Sequence, residues 1–247
     1  MTRKAFFTLH RDLPREGPGD RADVAWAVAL CDLPTGARIC DAGCGPGADI
    51  PALLFRAPGS RVTGIDLHAP FVADATARFA REPRVEVTQG RLIAGADGLP
   101  DPVSLGPFDL IWCAGAIYFE GIAAALRQWR DALAPGGHVA FSEPVLLTDR
   151  PSDPVRAMWD VEYPQITDAQ GIAAQVAAAG YETLATRVLP DSSWEGYYGP
   201  MERRIADLRP GADPELARVL DEGAEEARIW RQYRHEFGYL LSVVRPA

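Results

Sequence analysis

Asp41-Ala42-Gly43-Cys44-Gly45-Pro46-Gly47 follows at once on the strand-like run Arg38-Ile39-Cys40. A short strand that breaks into three alternating glycines can turn sharply and bring its backbone close to a ligand where a Cβ would clash. The helix expected next, from about Asp49 to Arg56, presents the unpaired N–H groups of its first turn to the same place. Twenty-five residues beyond Asp41, a second strand-like run, Arg61 to Asp66, ends on a carboxylate. An acid there stands beside the crevice of a doubly wound sheet and accepts both hydroxyls of a ribose. Loop and acid together predict a nucleotide site at the carboxyl edge of a parallel sheet.

Outward from this loop, strand-like and helical runs alternate. Upstream, Asp20 is placed to cap a helix carrying Val24, Ala27, Val28 and Cys31 on one face. Downstream come a helix over 69–81, a strand over 84–88, a strand over 108–113 and a helix over 122–133 stopped by Pro135-Gly136-Gly137, then a strand over 138–142. Such alternation predicts a parallel sheet covered on both faces. Beyond residue 150 the expectation is a helix over 151–162, another over 168–179 and a strand over 183–189. A polar, aromatic-containing helical stretch over 191–236 and a last strand over 237–244 complete the chain. The fold class expected is therefore α/β and doubly wound, a single domain over 1–247. Its cofactor-binding core is placed at 20–145, with a helical insertion or cap at 190–236 before the last strand.

Composition narrows the partners. In 247 residues, 25 Lys and Arg oppose 34 Asp and Glu, for a net charge of −9. That balance argues against nucleic acid, whose phosphates call for a concentrated basic surface. Lys4 is the only lysine. Cys31, Cys40, Cys44 and Cys113 form no C-x-x-C pair and no zinc-ligand spacing with the histidines, so neither a metal site nor a disulfide scaffold is expected. No signal-like or membrane-length apolar run occurs, and a soluble, cytoplasmic protein is the expectation.

Two nucleotide readings fit the loop. Gly43, Gly45 and Ala48 satisfy G-x-G-x-x-A, the dinucleotide fingerprint, so an NAD(P)-dependent oxidoreductase is one of them. That fingerprint calls for neither Asp41 nor Gly47, and with Lys4 the only lysine there is no Tyr-x-x-x-Lys. The acid two residues ahead of the first glycine instead resembles motif I of the class I S-adenosylmethionine-dependent methyltransferases. Gly64-Ile65-Asp66-Leu67, Phe108-Asp109-Leu110-Ile111 and Leu133-Ala134-Pro135-Gly136-Gly137 resemble later landmarks of that family, in order. Leu13 to Gly19, Trp112 to Tyr118 and Trp194 with Tyr197-Tyr198-Gly199-Pro200 are similar to a bacterial small-molecule subgroup.

The resemblance implies a Rossmann-like, mostly parallel seven-stranded sheet and S-adenosylmethionine as cofactor. The activity implied is methyl transfer to a small molecule, with no nucleic-acid or membrane partner; a homodimer is left open. A non-catalytic S-adenosylmethionine-binding protein is the further alternative. Among the site residues implied, Asp41 meets the methionine amino group, Gly43, Cys44, Gly45 and Gly47 admit the cofactor backbone, and Asp66 and Leu67 hold ribose and adenine. Gly90-Arg91-Leu92 falls where the family places an acidic or polar residue at the adenine amine. Arginine only donates, so Asp97 or a backbone carbonyl would have to serve there. Ala114 and Gly115 line the cofactor, and Arg15 pairs with a carboxylate of cofactor or acceptor. Tyr118 and Glu143 are the candidate catalytic residues, and Trp194, Tyr197 and Tyr198 the candidate acceptor walls. Trp159 and Tyr163, four apart, read as core packing, and His138 as structural.

Overall fold

A computed structural model describes residues 3–247. The first strands are β1 (Arg38–Ala42), β2 (Arg61–Asp66), β3 (Val85–Gln89), β4 (Phe108–Ala114) and β5 (Leu133–Leu146). After these come the two-residue β6 (Thr167–Asp168), then β7 (Tyr181–Val188) and β8 (Phe237–Pro246). The sheet runs β3-β2-β1-β4-β5-β8-β7, with β6 beside the end of β5. Strands β1 to β5 are parallel, and β8 enters antiparallel between β5 and β7. The fold is thus the expected doubly wound α/β sheet. Its strand order reverses between β1 and β4, which opens a crevice at their carboxyl ends.

The helices are α1 (Arg3–His10), α2 (Arg21–Val28), α3 (Ile50–Arg56), α4 (Ala69–Arg78) and α5 (Pro102–Leu105). They continue as α6 (Ile122–Trp129), α7 (Asp153–Glu162), α8 (Ala169–Ala178), α9 (Asp191–Leu208) and α10 (Pro214–Tyr233). Both sheet faces are covered: Val24, Leu53 and Trp112 belong to the core on one side, and Ile111, Leu126, Trp129 and Ile172 to the core on the other. Asp20 caps α2 as expected, accepting the amides of Ala22 and Asp23 at 2.7 and 3.0 Å, while Asp23 Oδ2 accepts the Asp20 amide at 2.9 Å.

Several boundaries differ from the sequence expectation. Helix α6 ends at Trp129 and passes through a 3₁₀ turn, so Pro135-Gly136-Gly137 does not stop a helix. It lies inside β5, which begins at Leu133 opposite Phe108 and carries an irregularity before His138 pairs with Leu110. Gly136, at φ 78°, supplies the left-handed residue that this irregularity needs. Helix α4 stops three residues early, and β7 starts two residues early because Tyr181 and Glu182 find partners in β8. The 191–236 stretch is two helices separated by a 3₁₀ turn at Arg209–Gly211.

Helix α1 had no sequence expectation. It packs against α9 and α10, and a guanidinium nitrogen of Arg204 donates to the Thr8 carbonyl at 3.3 Å. Gly223 of α10 allows the approach: a Cβ there would stand 3.1 Å from Leu9 Cδ2 and 3.3 Å from Met201 Sδ. Together α1, α9 and α10 roof the crevice.

Candidate active site

The crevice is a cavity of about 630 Å³ running from the glycine loop to an aromatic chamber beneath the roof. At the loop end the backbone does what the glycines permit. Gly43, Gly45 and Gly47 have φ of 79°, 52° and 78°. A Cβ on Gly43 would lie 2.6 Å from Ala116 Cβ, so only glycine lets this strand end pass the loop after β4. The amides of Gly43 and Cys44 donate to the Ile65 carbonyl at 2.8 and 3.0 Å, and the Gly45 amide donates to Asp66 Oδ2 at 2.8 Å. The His68 amide donates to the other Asp66 oxygen at 2.8 Å. Burial raises the Asp66 carboxyl, opposed by these two amides.

Asp41 is 3% exposed, and its Oδ2 has no partner among the described residues. Burial pushes its carboxyl well up, the charges of Asp49 and Asp66 add to the rise, and Arg15 opposes it. Arg15 enters from the segment after α1. Its Nε donates to the Gly17 carbonyl at 2.5 Å, and its two terminal nitrogens reach Asp49 Oδ1 at 3.4 Å. Asp49 in turn accepts the Trp112 indole N–H at 3.0 Å, fixing the carboxylate that aims the guanidinium.

The structure brings most of the sequence-predicted residues to this cavity. Asp41, Gly43, Cys44, Gly45, Asp66 and Leu67 line it from β1, β2 and their loops. Gly90, Arg91, Leu92, Ala114 and Gly115 line it from the loops after β3 and β4, and Arg15 from the N-terminal side. Tyr118, Trp194, Tyr197 and Tyr198 line the chamber. Gly47 does not reach the cavity; a Cβ there would meet Phe79 at 2.6 Å, so it serves the packing of the loop on α4. Arg91 is bound to Asp97 at 2.8 Å, and Asp97 lies outside the lining.

Glu143 stands one layer back. It is 1% exposed, accepts the Tyr163 hydroxyl at 2.7 Å and leaves Oε2 unpartnered among the described residues. Burial raises its carboxyl to about 7, against the Tyr163 hydrogen bond. Tyr163, read from sequence as core, follows the last residue of α7 and lines the cavity. Trp159 does pack, edge-on to Phe237 at 5.4 Å, yet it lines the chamber too. His138 lies at the opposite end of β5, beside a shallow cleft with Asp109 and Arg245.

Sequence reasoning missed the contributions of α1 and α10. His10 Nδ1 lies 2.6 Å from Glu16 Oε2, and Glu226 accepts the Tyr198 hydroxyl at 2.9 Å. All four line the cavity, and burial raises both glutamates, opposed by His10 at Glu16 and by the Tyr198 hydrogen bond at Glu226. The 221–231 charge run that contains Glu226 reads as a solvated face. Only the helical phase of α10, three residues from the tightly packed Gly223, hints that one of its acids turns inward.

A glycine loop over a buried acid, a second acid closing β2 and this strand order together define a nucleotide-binding methyltransferase-type domain. Residues 40–139 match the family described as "Methyltransferase domain". Over those residues the chain is similar to the class I methyltransferases, whose solved members include S-adenosylmethionine-dependent enzymes.

Among curated relatives, trans-aconitate 2-methyltransferase of Paracidovorax citrulli is 33% identical over 118 residues, 47% of this chain and 42% of the relative. The malonyl-[acyl-carrier protein] O-methyltransferase of Enterobacter lignolyticus is 33% identical over 107 residues, 43% and 38% of the two chains. The chain thus spans about two fifths of the length of these relatives. In overall fold it resembles a Geobacter sulfurreducens S-adenosylmethionine-dependent methyltransferase crystallised with S-adenosylhomocysteine. The TM-score is 0.81 at 19% identity, covering 100% of this chain and 99% of that one. Among the described residues no helix is long and apolar enough to cross a membrane.

Proposed function

We propose that this chain transfers a methyl group from S-adenosylmethionine to a small-molecule acceptor and releases S-adenosylhomocysteine. The observation that carries the reading is Asp41: a buried carboxyl with an unpartnered oxygen, beneath a loop of left-handed glycines. An unpartnered buried acceptor is costly, and an ammonium group satisfies it. The pyrophosphate of a nicotinamide dinucleotide would bring negative charge to the same spot, with Asp41, Asp49 and Asp66 around it. The cavity therefore suits the amino group and sulfonium of S-adenosylmethionine better.

In this reading Asp66 receives the ribose hydroxyls on the lone pairs left by the Gly45 and His68 amides. Leu67 lies against the adenine, and Gly90, Arg91 and Leu92 border it, with Arg91 held away by Asp97. Arg15, aimed by Asp49, receives the methionine carboxylate. When bound, the cofactor supplies an electrophilic sulfonium methyl. The chain's own part is alignment and exclusion of water, and such positioning supplies about 7–11 kcal/mol of a barrier. Trp194, Tyr197 and Tyr198 wall the acceptor, and Tyr118 orients its nucleophilic atom. Glu143, reached through the Tyr163 hydroxyl, takes up a proton when the acceptor arrives protonated, a contribution of about 10²–10⁴-fold.

Calorimetry with S-adenosylmethionine, S-adenosylhomocysteine, NAD and NADP tests this. Micromolar binding of the first two alone is expected. Binding of NAD or NADP alone would overturn the reading.

A further inference from the structure

The two ends of the cavity differ in charge as well as in shape. Four basic side chains line it among the described residues: Arg15, Arg91, His10 and His68. Arg15 faces Asp49 and Arg91 is bound to Asp97, while His10 sits against Glu16 and His68 stacks on Phe7 with centroids 3.4 Å apart. None of the four belongs to α7, α9 or α10; His10, at the end of α1 in the roof, bears on Glu226 but is committed to Glu16.

That chamber carries carboxyl groups instead. Glu162, the last residue of α7, and Glu226 of α10 both line it. Glu226 Oε1 is fixed by the Tyr198 hydroxyl, which leaves Oε2 without a protein donor among the described residues. The charges of Glu226, Glu143 and Glu162 all bear on Tyr118 and reinforce the rise that burial imposes on its hydroxyl. Around these acids stand Trp159, Tyr163, Trp194, Tyr197, Tyr198 and Tyr239. Stacked and edge-on contacts hold several of them rigid, among them Trp194 on Trp230 at 5.2 Å and against Tyr239 at 5.3 Å. Aromatic faces attract cations, and a carboxylate beside them fixes where the cation sits.

We propose that the acceptor is an organic amine with an apolar or aromatic body, its ammonium held by Glu226 and Glu162 among the chamber's rings; one of these carboxylates takes the ammonium proton, and the freed nitrogen lone pair takes the methyl as S-adenosylhomocysteine leaves. This rests on the methyl-transfer reading and deepens it by naming the acceptor's class. The curated relatives are named for trans-aconitate and malonyl substrates, which are carboxylic acids. A carboxylate placed in this chamber would meet two glutamates and no uncommitted cation.

Matched pairs sharing one body decide the matter: phenethylamine against 3-phenylpropionate, and tryptamine against indole-3-propionate. Each is titrated by calorimetry into the protein saturated with S-adenosylhomocysteine. The amines are expected to bind at least tenfold tighter than their acid partners. Glu226→Gln is expected to erase at least tenfold of amine affinity while S-adenosylhomocysteine still binds. Should that variant fail to bind S-adenosylhomocysteine, Glu162→Gln takes its place with the same expectation. Equal or tighter binding of the acids, no amine binding across the panel, or amine binding unchanged in the glutamine variant overturns the proposal. A separate turnover assay with S-adenosylmethionine keeps the two readings apart. Amine binding without any methylated product would sink the methyl-transfer reading and leave the amine site standing. Methylation of the acids alone would do the reverse.

Discussion

The Gly45 amide donates to Oδ2 of Asp66 across 2.8 Å, so the acid that closes β2 also ties down the glycine loop after β1. One carboxylate thus shapes the loop and lines the cavity. A change at Asp66 is felt on both counts.

Asp66→Ala is expected to weaken S-adenosylhomocysteine binding by roughly 1.5–3 kcal/mol, the worth of hydrogen bonds to a charged group. Because the Gly45 and His68 amides lose their acceptor, a fall in stability of about 1–3 kcal/mol accompanies it. Calorimetry and urea unfolding measure the two separately. Unchanged binding would remove Asp66 from the ribose site.

Gly43→Ala places a Cβ 2.6 Å from that of Ala116 and forces a side chain onto φ 79°. Left-handed strain alone is worth about 1–3 kcal/mol, and the clash adds to it. The expected result is a lower Tm together with loss of measurable S-adenosylhomocysteine binding. Gly98→Ala serves as the comparison, since it shares the positive φ but has nothing within 4 Å. It should lower Tm less and leave binding intact.

Arg15→Gln is predicted to weaken S-adenosylhomocysteine about tenfold or more, as expected for loss of one charge-assisted pair. Binding of 5′-methylthioadenosine, which has no carboxylate, should not change. An equal loss for both ligands would assign Arg15 to loop structure through Asp49 rather than to the methionine carboxylate.

The pH dependence of stability has a definite sign at Glu143. Its carboxyl rises from 4.5 to about 7 on folding, so between those values the folded state binds more protons than the unfolded one. Stability contributed there is greatest at acidic pH and is lost as pH climbs through 7, by an amount of order 3 kcal/mol. Glu16, Asp41, Asp66 and Glu226 are raised in the same direction. The difference between wild type and Glu143→Gln therefore isolates Glu143. In urea titrations from pH 5 to 8, wild type should lose stability relative to that variant; parallel curves would contradict the assignment.

Much of the loop end was legible in the chain because its determinants are local. Asp41 through Gly47 occupy one turn, and Asp66 ends the next strand. Positive φ at alternate glycines and a carboxylate at a strand end are signals that one residue type answers almost alone. The alternation of strand and helix likewise set the sheet's class. Misjudged boundaries fell where pairing, rather than propensity, decides. Pro135-Gly136-Gly137 reads as a helix stop, but Phe108 and Leu110 on the neighbouring strand recruit that segment into β5.

By itself, then, the sequence determined the doubly wound sheet, the crevice between β1 and β4, and the acids and glycines at its loop end. Only the tertiary structure decided the other end. It turned Glu226 inward from a charged helix, put Tyr163 between Glu143 and the cavity, and laid α1 over the crevice beside α9 and α10. The physical reason is sequence distance. Tyr198 and Glu226 are 28 residues apart, and Tyr163 and Glu143 are 20 apart, so no local period records that they meet. Their pairing follows from how amphipathic helices close over a sheet, and a carboxyl on such a helix becomes a site or a solvated charge according to which neighbour it finds.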